Sequence, residues 1–425
     1  MNRRRGVRDL IAWLASLLAL ALASARALSE PLHVPDPTLA NADLVTAQDF
    51  RDATYFPIKE FLAGGDPYEP ATMLHNWPVR QEFDLYTPLH LTLHLPLARL
   101  PYHTALVVFS VIGLAYLIAI GLVSARLGGL PGGWPGAVAT AAAVVAAQFG
   151  KVAIYYGQID SLVGLGSVLA LVNQGRPGRR AWCWGAAGLA VAWIKPQFGI
   201  PLTVLLLARG AWRQALTGTT AAGLLSLPIV IPLVVRAGGI AGFADVVRRN
   251  LDYAGHTPYA AVDSMTGARI DLAAVTYRTL GWLPPGGEAI TLLGLLGLTA
   301  VLIARRRGRP FDLVELCLVG VAVLLCLPHQ QSELITVPVL ASVAALWLRR
   351  QYPQPLLATI AVLFWVPALH VAFAQHLVIA HSSLRVDRLI DGLCLALGYA
   401  LAVVAAVAGR GERVSSAPRA VPVAG

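Results

Sequence analysis

The sequence predicts an all-α polytopic membrane protein, and three observations predict it. Of the 425 residues, 56% are hydrophobic and only 13% are charged, against about 25% charged in an ordinary soluble domain. Apolar runs long enough to cross about 30 Å of hydrocarbon recur along the chain. The arginines cluster at the ends of those runs, as orientation signals do. The excess of 33 Lys+Arg over 23 Asp+Glu is therefore read as membrane topology. With no basic face interleaved with aromatics, no nucleic-acid partner is expected.

Taken in order, a cytoplasmic N-terminus, 1–9, carries Arg3-Arg4-Arg5 and precedes a first span at 10–28. That run is long enough to be retained rather than cleaved as a signal peptide. Residues 29–103 form a polar external loop. A block of membrane helices occupies 104–235, with apolar runs near 104–124, 136–150, 157–173 and 214–235. Within it, 181–208 is apolar except for Lys195-Pro196-Gln197. Proline lacks the N–H that would continue a helix and lysine is costly in lipid, so the stretch breaks there. A second external loop spans 236–287. Runs near 288–304, 312–327, 333–348, 355–373 and 389–409 make the C-terminal helices of 288–409, and 410–425 is a disordered cytoplasmic tail.

Basic clusters at Arg3 to Arg8, Arg126, Arg176 with Arg179-Arg180, Arg209 with Arg213, Arg305-Arg306-Arg307, Arg349-Arg350 and Arg410 with Arg413 mark the cytoplasmic side. Clusters on both sides of 181–208 require an even number of crossings between them, so that stretch is two short helices. About twelve transmembrane helices follow, with both termini inside. The external face then gathers 29–103, the turn from Gly150 to Asp160, the Lys195 break, 236–287, the Pro328-His329-Gln330-Gln331 turn and 374–388.

A loop as long as 29–103 needs structure of its own. Phe50, Thr54, Ile58, Phe61 and Leu62 fall at helical spacing over about 43–62, and Gly64-Gly65 supplies a C-cap. An amphipathic interfacial helix is expected there, and a second over Leu85 to Leu100, which carries His90 and His94.

Several external groups can carry chemistry. Asp49 and Asp52 lie three residues apart and face one way on a helix. A general base is one reading, and capping and dipole stabilisation at a helix start is the other. Lys195, an ionisable group at a helix break, either contacts a partner, a cavity or a phosphate, or snorkels to the interface. His329 with Glu333 beside it, and Arg385 and Arg388 before the last span, are placed to assist a base or hold a phosphate. Gly64-Gly65-Asp66-Pro67-Tyr68 is a turn by chemistry. Gln158 and Asp160 stand at a helix entry. Asn250, Asp252, Tyr253, His256 and Tyr259 mix the polar and aromatic types that suit a sugar. Cys183, Cys317, Cys326 and Cys394 lack metal-ligand spacing, and no P-loop, dinucleotide glycine pattern, zinc-protease or serine-hydrolase motif occurs. No metal and no cofactor is expected.

Together these stretches resemble glycosyltransferase family 87, integral-membrane enzymes of GT-C type that include polyprenol-phosphate-mannose-dependent mannosyltransferases. The resemblance rests on Asp49-Phe50 with Tyr55, Gly64 through Tyr68, Tyr86-Thr87-Pro88-Leu89 with Pro96-Leu97, Tyr156-Gly157-Gln158 and Lys195-Pro196, in that order over the first half of the chain. It implies a GT-C-like fold, inversion at the anomeric carbon, a polyprenyl-phosphate-linked sugar donor and a lipid or glycan acceptor. It also implies a site on the external or periplasmic side of a bacterial inner membrane. The acidic residue of the first external loop, the family's base, maps onto Asp49, and a later external histidine maps onto His329. Lys195, Arg385 and Arg388 are then candidates for the donor phosphate. Asp52, Tyr55, Asp66, Tyr68, Tyr86, Gln158 and His256 are candidates for contacting substrate. The chain has Tyr86-Thr87-Pro88 where the family often has Tyr-Pro-Pro, and Asp263-Ser264 where it has Asn-Ser. The competing readings are a transporter or lipid flippase with a midplane site at Lys195, and an O-antigen-ligase-like transferase.

Overall fold

The computed structural model describes residues 2–81, 84–127, 132–174, 178–257, 260–264, 269–308, 313–330, 333–334, 359–360, 363 and 386–408. It is helical throughout, with a lone antiparallel bridge between Arg269 and Gln330 among the described residues. Helix α1, Asn2–Ser29, leaves Leu10, Ile11, Leu14, Leu18 and Leu22 exposed, as a helix facing hydrocarbon does.

The segment 29–103 then folds into α2, Gln48–Phe50, a π-helical turn at Arg51–Tyr55, and α3, Phe56–Ala63. After these come α4, Pro70–Asn76, and α5, Pro88–His94, which runs into a 3-10 turn at Leu95–Arg99. Gly64 caps α3 at φ +97°, as its place in the sequence predicts. Two expectations are corrected. The helix begins at Gln48 rather than near 43. These helices also do not lie open along an interface: every residue from Phe50 to Ile58 is buried, as are Leu89, His90 and Leu91. The apolar spacing was real, but its partner is the protein's own aromatic cluster. Phe50 packs 5.6 Å from Tyr102 and 5.0 Å from Phe109, and Phe56 stacks 5.0 Å from Trp77.

Helix α6, Tyr102–Leu127, is followed by α7, Gly133–Ala146, and α8, Gln148–Tyr156, which are bent by 59° at their junction. Next come α9, Asp160–Asn173, α10, Arg179–Ala192, α11, Pro196–Arg209, and α12, Trp212–Arg236. The segment 236–287 holds α13, Ile240–Gly255, and α14, Leu272–Leu280; α15, Gly287–Ala304, α16, Leu313–Cys326, and α17, Val386–Val407, complete the described helices.

Among the described residues, five helices are long and apolar enough to span a membrane, and α7 with α8 makes a sixth if the bent pair is one span. The expected count of about twelve is not reached among the described residues. The runs near 333–348 and 355–373 lie almost entirely outside them, as does the tail from 410. Residues 181–208 do divide at Lys195 into α10 and α11.

Small residues set the helix contacts. A Cβ on Gly188 would lie 2.5 Å from the Gly166 carbonyl oxygen, one on Gly121 would lie 2.4 Å from the Ala141 Cα, and one on Gly218 would lie 2.7 Å from the Ala186 carbonyl oxygen. Such close approach is how helices gain dispersion contact where no hydrophobic driving force separates them from lipid. Trp134, Trp184 and Trp212 are exposed, and the Arg126 and Arg213 guanidiniums sit 4.9 and 5.3 Å from the Trp134 and Trp212 rings. Tryptophan beside arginine at helix ends is the composition of a membrane–water boundary.

Candidate active site

Asp49 is presented by a backbone that departs from ideal geometry on both sides. Ala47, immediately before α2, has φ +56°, a left-handed conformation costly for a residue with a side chain. Its N–H donates to the Tyr155 carbonyl at 2.8 Å. The π-helical turn follows at Arg51. It alters the α-helical relation between Asp49 and Asp52, and such turns recur at functional sites.

The two carboxylates consequently have different surroundings. Asp52 is buried and saturated: Oδ1 accepts from Arg51 Nε at 2.5 Å, and Oδ2 accepts from Arg51 Nη2 at 3.1 Å and from the backbone N–H groups of Arg80 and Gln81 at 3.1 and 2.9 Å. Asp49 is half-buried, its carboxylate accepts from the Gln158 amide, and Lys195 and Asp160 lie within electrostatic reach. Burial is the largest influence on it and raises its pKa from 3.8 to about 7.

Gly157 brings Gln158 to Asp49. It adopts φ +68° at the end of α8, and a Cβ there would lie 2.6 Å from Phe50 Cβ. Gly157→Ala therefore combines backbone strain with a clash against the residue beside Asp49. A loss of about 1–3 kcal/mol is expected, read as a lower thermal midpoint accompanied by reduced activity.

The Lys195 break is built with equal economy. Lys195 is extended at φ −108°, ψ 108°, as a residue before proline is, and Pro196 opens α11 where its missing N–H costs nothing. The carbonyls released at the end of α10 are taken by Thr87: its N–H donates to Ile194 O at 2.9 Å and its Oγ1 to Trp193 O at 2.9 Å. A proline at 87 has neither donor, so the departure from Tyr-Pro-Pro is used here. Tyr86 is thereby set with its ring 5.3 Å from Lys195 Nζ and 4.9 Å from the His90 ring.

Lys195 itself is buried. Its Nζ lies 2.5 Å from an oxygen of Asp160 and 2.5 Å from Glu333 Oε1. Two of its three donors are thus committed to carboxylates. Glu333 Oε1 also accepts from Gln197 Nε2 at 3.2 Å, and Oε2 accepts from the Gln330 N–H at 2.8 Å. His329 is fully buried, with its ring edge-on to Phe198 at 4.7 Å. Its Nδ1 bonds to Leu327 O at 2.9 Å, which makes Nδ1 the donor and leaves Nε2 with no hydrogen-bond partner. The His329 carbonyl accepts from Ile270 N–H at 2.8 Å, so the segment before α14 braces this turn.

Of the residues singled out in sequence, Asp49, Tyr86, Gln158, Lys195 and His329 thus converge around one cluster. Tyr55 and Tyr68 are buried framework, their hydroxyls donating to Leu100 O at 2.8 Å and Tyr86 O at 3.1 Å. Asp66 closes its turn on the Tyr68 N–H at 2.9 Å. His256 is 81% exposed in its side chain and stands beside Asp252, away from the cluster. Arg388 lies in the first turn of α17, one turn before Gly392, which packs on Ile270. Arg385 lies outside the described residues. Sequence reasoning left two participants without a role. In sequence Asp160 is only a polar group at a helix entry, and Glu333 only a neighbour of His329. Nothing in the sequence pairs residues 160 and 333 with 195.

The region joining these pieces decides the family. The family model described as glycosyltransferase family 87 matches residues 85–328, more than half of the chain. The chain belongs to glycosyltransferase family 87. The matched region of this glycosyltransferase takes in Tyr86, Gln158, Asp160 and Lys195, while Asp49, His329 and Glu333 lie outside it and are joined to it by the contacts above. Comparison with the curated proteins and with the solved structures returned no match.

Proposed function

We propose that this membrane glycosyltransferase moves a hexose, with mannose the first to test, from a polyprenyl-phosphate donor to a lipid or glycan acceptor, with inversion, on the external face of a bacterial plasma membrane. Asp49 takes the proton of the acceptor hydroxyl as its oxygen bonds to the anomeric carbon. The bond from that carbon to the phosphate oxygen breaks, and the electron pair leaves with polyprenyl phosphate. The third N–H of Lys195, and Arg385 and Arg388, are the cationic and donor groups assigned to the departing phosphate, whose growing charge needs such stabilisation; His329, whose Nε2 is the accepting nitrogen in the tautomer set by its Leu327 contact, is assigned to assist at the acceptor hydroxyl. Tyr86 and Gln158 border the base; Asp52, Tyr55, Asp66 and Tyr68 act through the framework, and His256 is assigned to the rim where an acceptor enters.

The observation that supports this reading best is the contrast between two neighbouring carboxylates. One is saturated by an arginine and two backbone donors. The other is partly open and has its basicity raised by burial into the range where a general base works best. The test is transfer by the purified full-length protein in lipid nanodiscs, from a panel of polyprenyl-phosphate sugars beside nucleotide sugars. Transfer from polyprenyl phosphomannose alone is expected, and transfer from no polyprenyl-phosphate sugar overturns the reading.

The pH dependence has a definite sign. A base acts only when deprotonated, so kcat/KM is expected to rise with pH through about 7, the value to which burial raises Asp49, and then level off. An ascending limb near the ordinary carboxylate value would exclude Asp49 in this environment.

A further inference from the structure

The contacts of Glu333 join parts of the chain that are remote in sequence. One oxygen holds Lys195 at 2.5 Å and Gln197 at 3.2 Å, on the break before α11; the other holds the Gln330 N–H at 2.8 Å, in the turn that carries His329. Asp160, at the start of α9 and two residues after Gln158, holds the same ammonium from another side. All three side chains are at most 7% exposed. Two carboxylates share one lysine, with the His329 ring acting on Glu333 as well, and burying ionisable groups together in so dry a place is expensive unless they serve something. Their neighbour is the carboxylate of Asp49.

We propose that Glu333 and Asp160 are positioning residues for the transfer: acting through Lys195, they set the charge that faces Asp49, and Glu333 locks the His329 turn to the Lys195 break. The inference rests on Asp49 being the base.

Among the described residues, these groups act on Asp49. Lys195 and Asp160 approach from α9 and the break, with Tyr86 beside them; the Gln158 amide comes from the end of α8; Asp52, neutralised by Arg51, is on its own segment. Lys195 favours the Asp49 anion and Asp160 opposes it. With both carboxylates in place, the lysine is compensated and Asp49 keeps the high basicity that burial gives it. Removing either carboxylate's charge leaves more of the ammonium's field unopposed, so Asp49 becomes easier to ionise and weaker as a base.

The experiment titrates Asp49 directly, by the infrared carboxyl band of the full-length protein, assigned through its loss in Asp49→Asn. In folded Glu333→Gln and Asp160→Asn, the midpoint is expected to fall by about half to one pH unit, the scale of one charge removed at several ångströms in a medium of intermediate dielectric. In the transfer assay the ascending limb moves to lower pH with it and kcat falls, while KM for the donor changes little. An unmoved midpoint in both variants overturns the proposal. So does a rise in KM with an unmoved limb, which would mean that the two carboxylates serve only the phosphate contact of Lys195 and not Asp49, and so does loss of the fold in both variants, which would make them structural only. If wild type transfers no sugar, the reaction assignment fails while the infrared titration still decides the charge coupling.

Discussion

Asp49→Asn is expected to lower transfer by about 10²- to 10⁴-fold, the usual contribution of a positioned general base, and to leave the protein folded. The second half of that statement is what makes the result informative. Asparagine keeps the shape and can still hydrogen-bond Gln158, but cannot take a proton. The carboxylate it replaces costs stability: its pKa is about 7 in the fold against an ordinary 3.8. The folded state therefore binds the proton more tightly than the unfolded chain. Stability from this group is complete below about pH 4 and is lost as pH rises through about 7. Asparagine escapes that loss. Above pH 7 the variant is expected to melt no lower than wild type, a trade of stability for activity typical of functional sites. Retained transfer by the folded variant removes Asp49 as the base.

Three residues further on, the opposite outcome is expected. Asp52→Asn takes the charged partner from Arg51, which is only 3% exposed, and weakens the acceptor that fixes the Arg80 and Gln81 backbone. Breaking a buried ion pair from one side costs about 3–5 kcal/mol, a large part of a typical total of about 5–15 kcal/mol. The variant is expected to express poorly and melt well below wild type, with activity lost in proportion to the folded fraction. Replacing both partners, as Arg51→Met with Asp52→Leu, removes the stranded charge and should recover part of the loss. Wild-type melting of Asp52→Asn would show that the pair carries little of the fold. Measured side by side, the two aspartates separate chemistry from architecture within one turn of chain.

Much of this was readable beforehand. The break at Lys195-Pro196 follows from proline's missing N–H, and Gly64 caps α3 because glycine tolerates positive φ. The succession of short motifs from Asp49 to Lys195 pointed to the family before any contact was known. The interfacial character expected for the first loop was not borne out at Phe50, Thr54 and Ile58. A helical apolar stripe says that a face is covered and is silent on whether lipid or protein covers it. His256 attracted notice by its type in a polar loop; its exposure could not be read from its neighbours. Glu333 gave almost no local signal, because its importance lies in partners 138 and 136 residues away.

Composition and the placement of arginines determined the class of this protein, since hydrocarbon admits few kinds of chain and sorts charge at its boundaries. Local chemistry determined where helices start, break and end. The tertiary structure alone decided which of two aspartates three residues apart is saturated and which is open. It also decided that Lys195 stands between Asp160 and Glu333. Both are differences in desolvation and pairing, and those depend on what distant segments bring within a few ångströms.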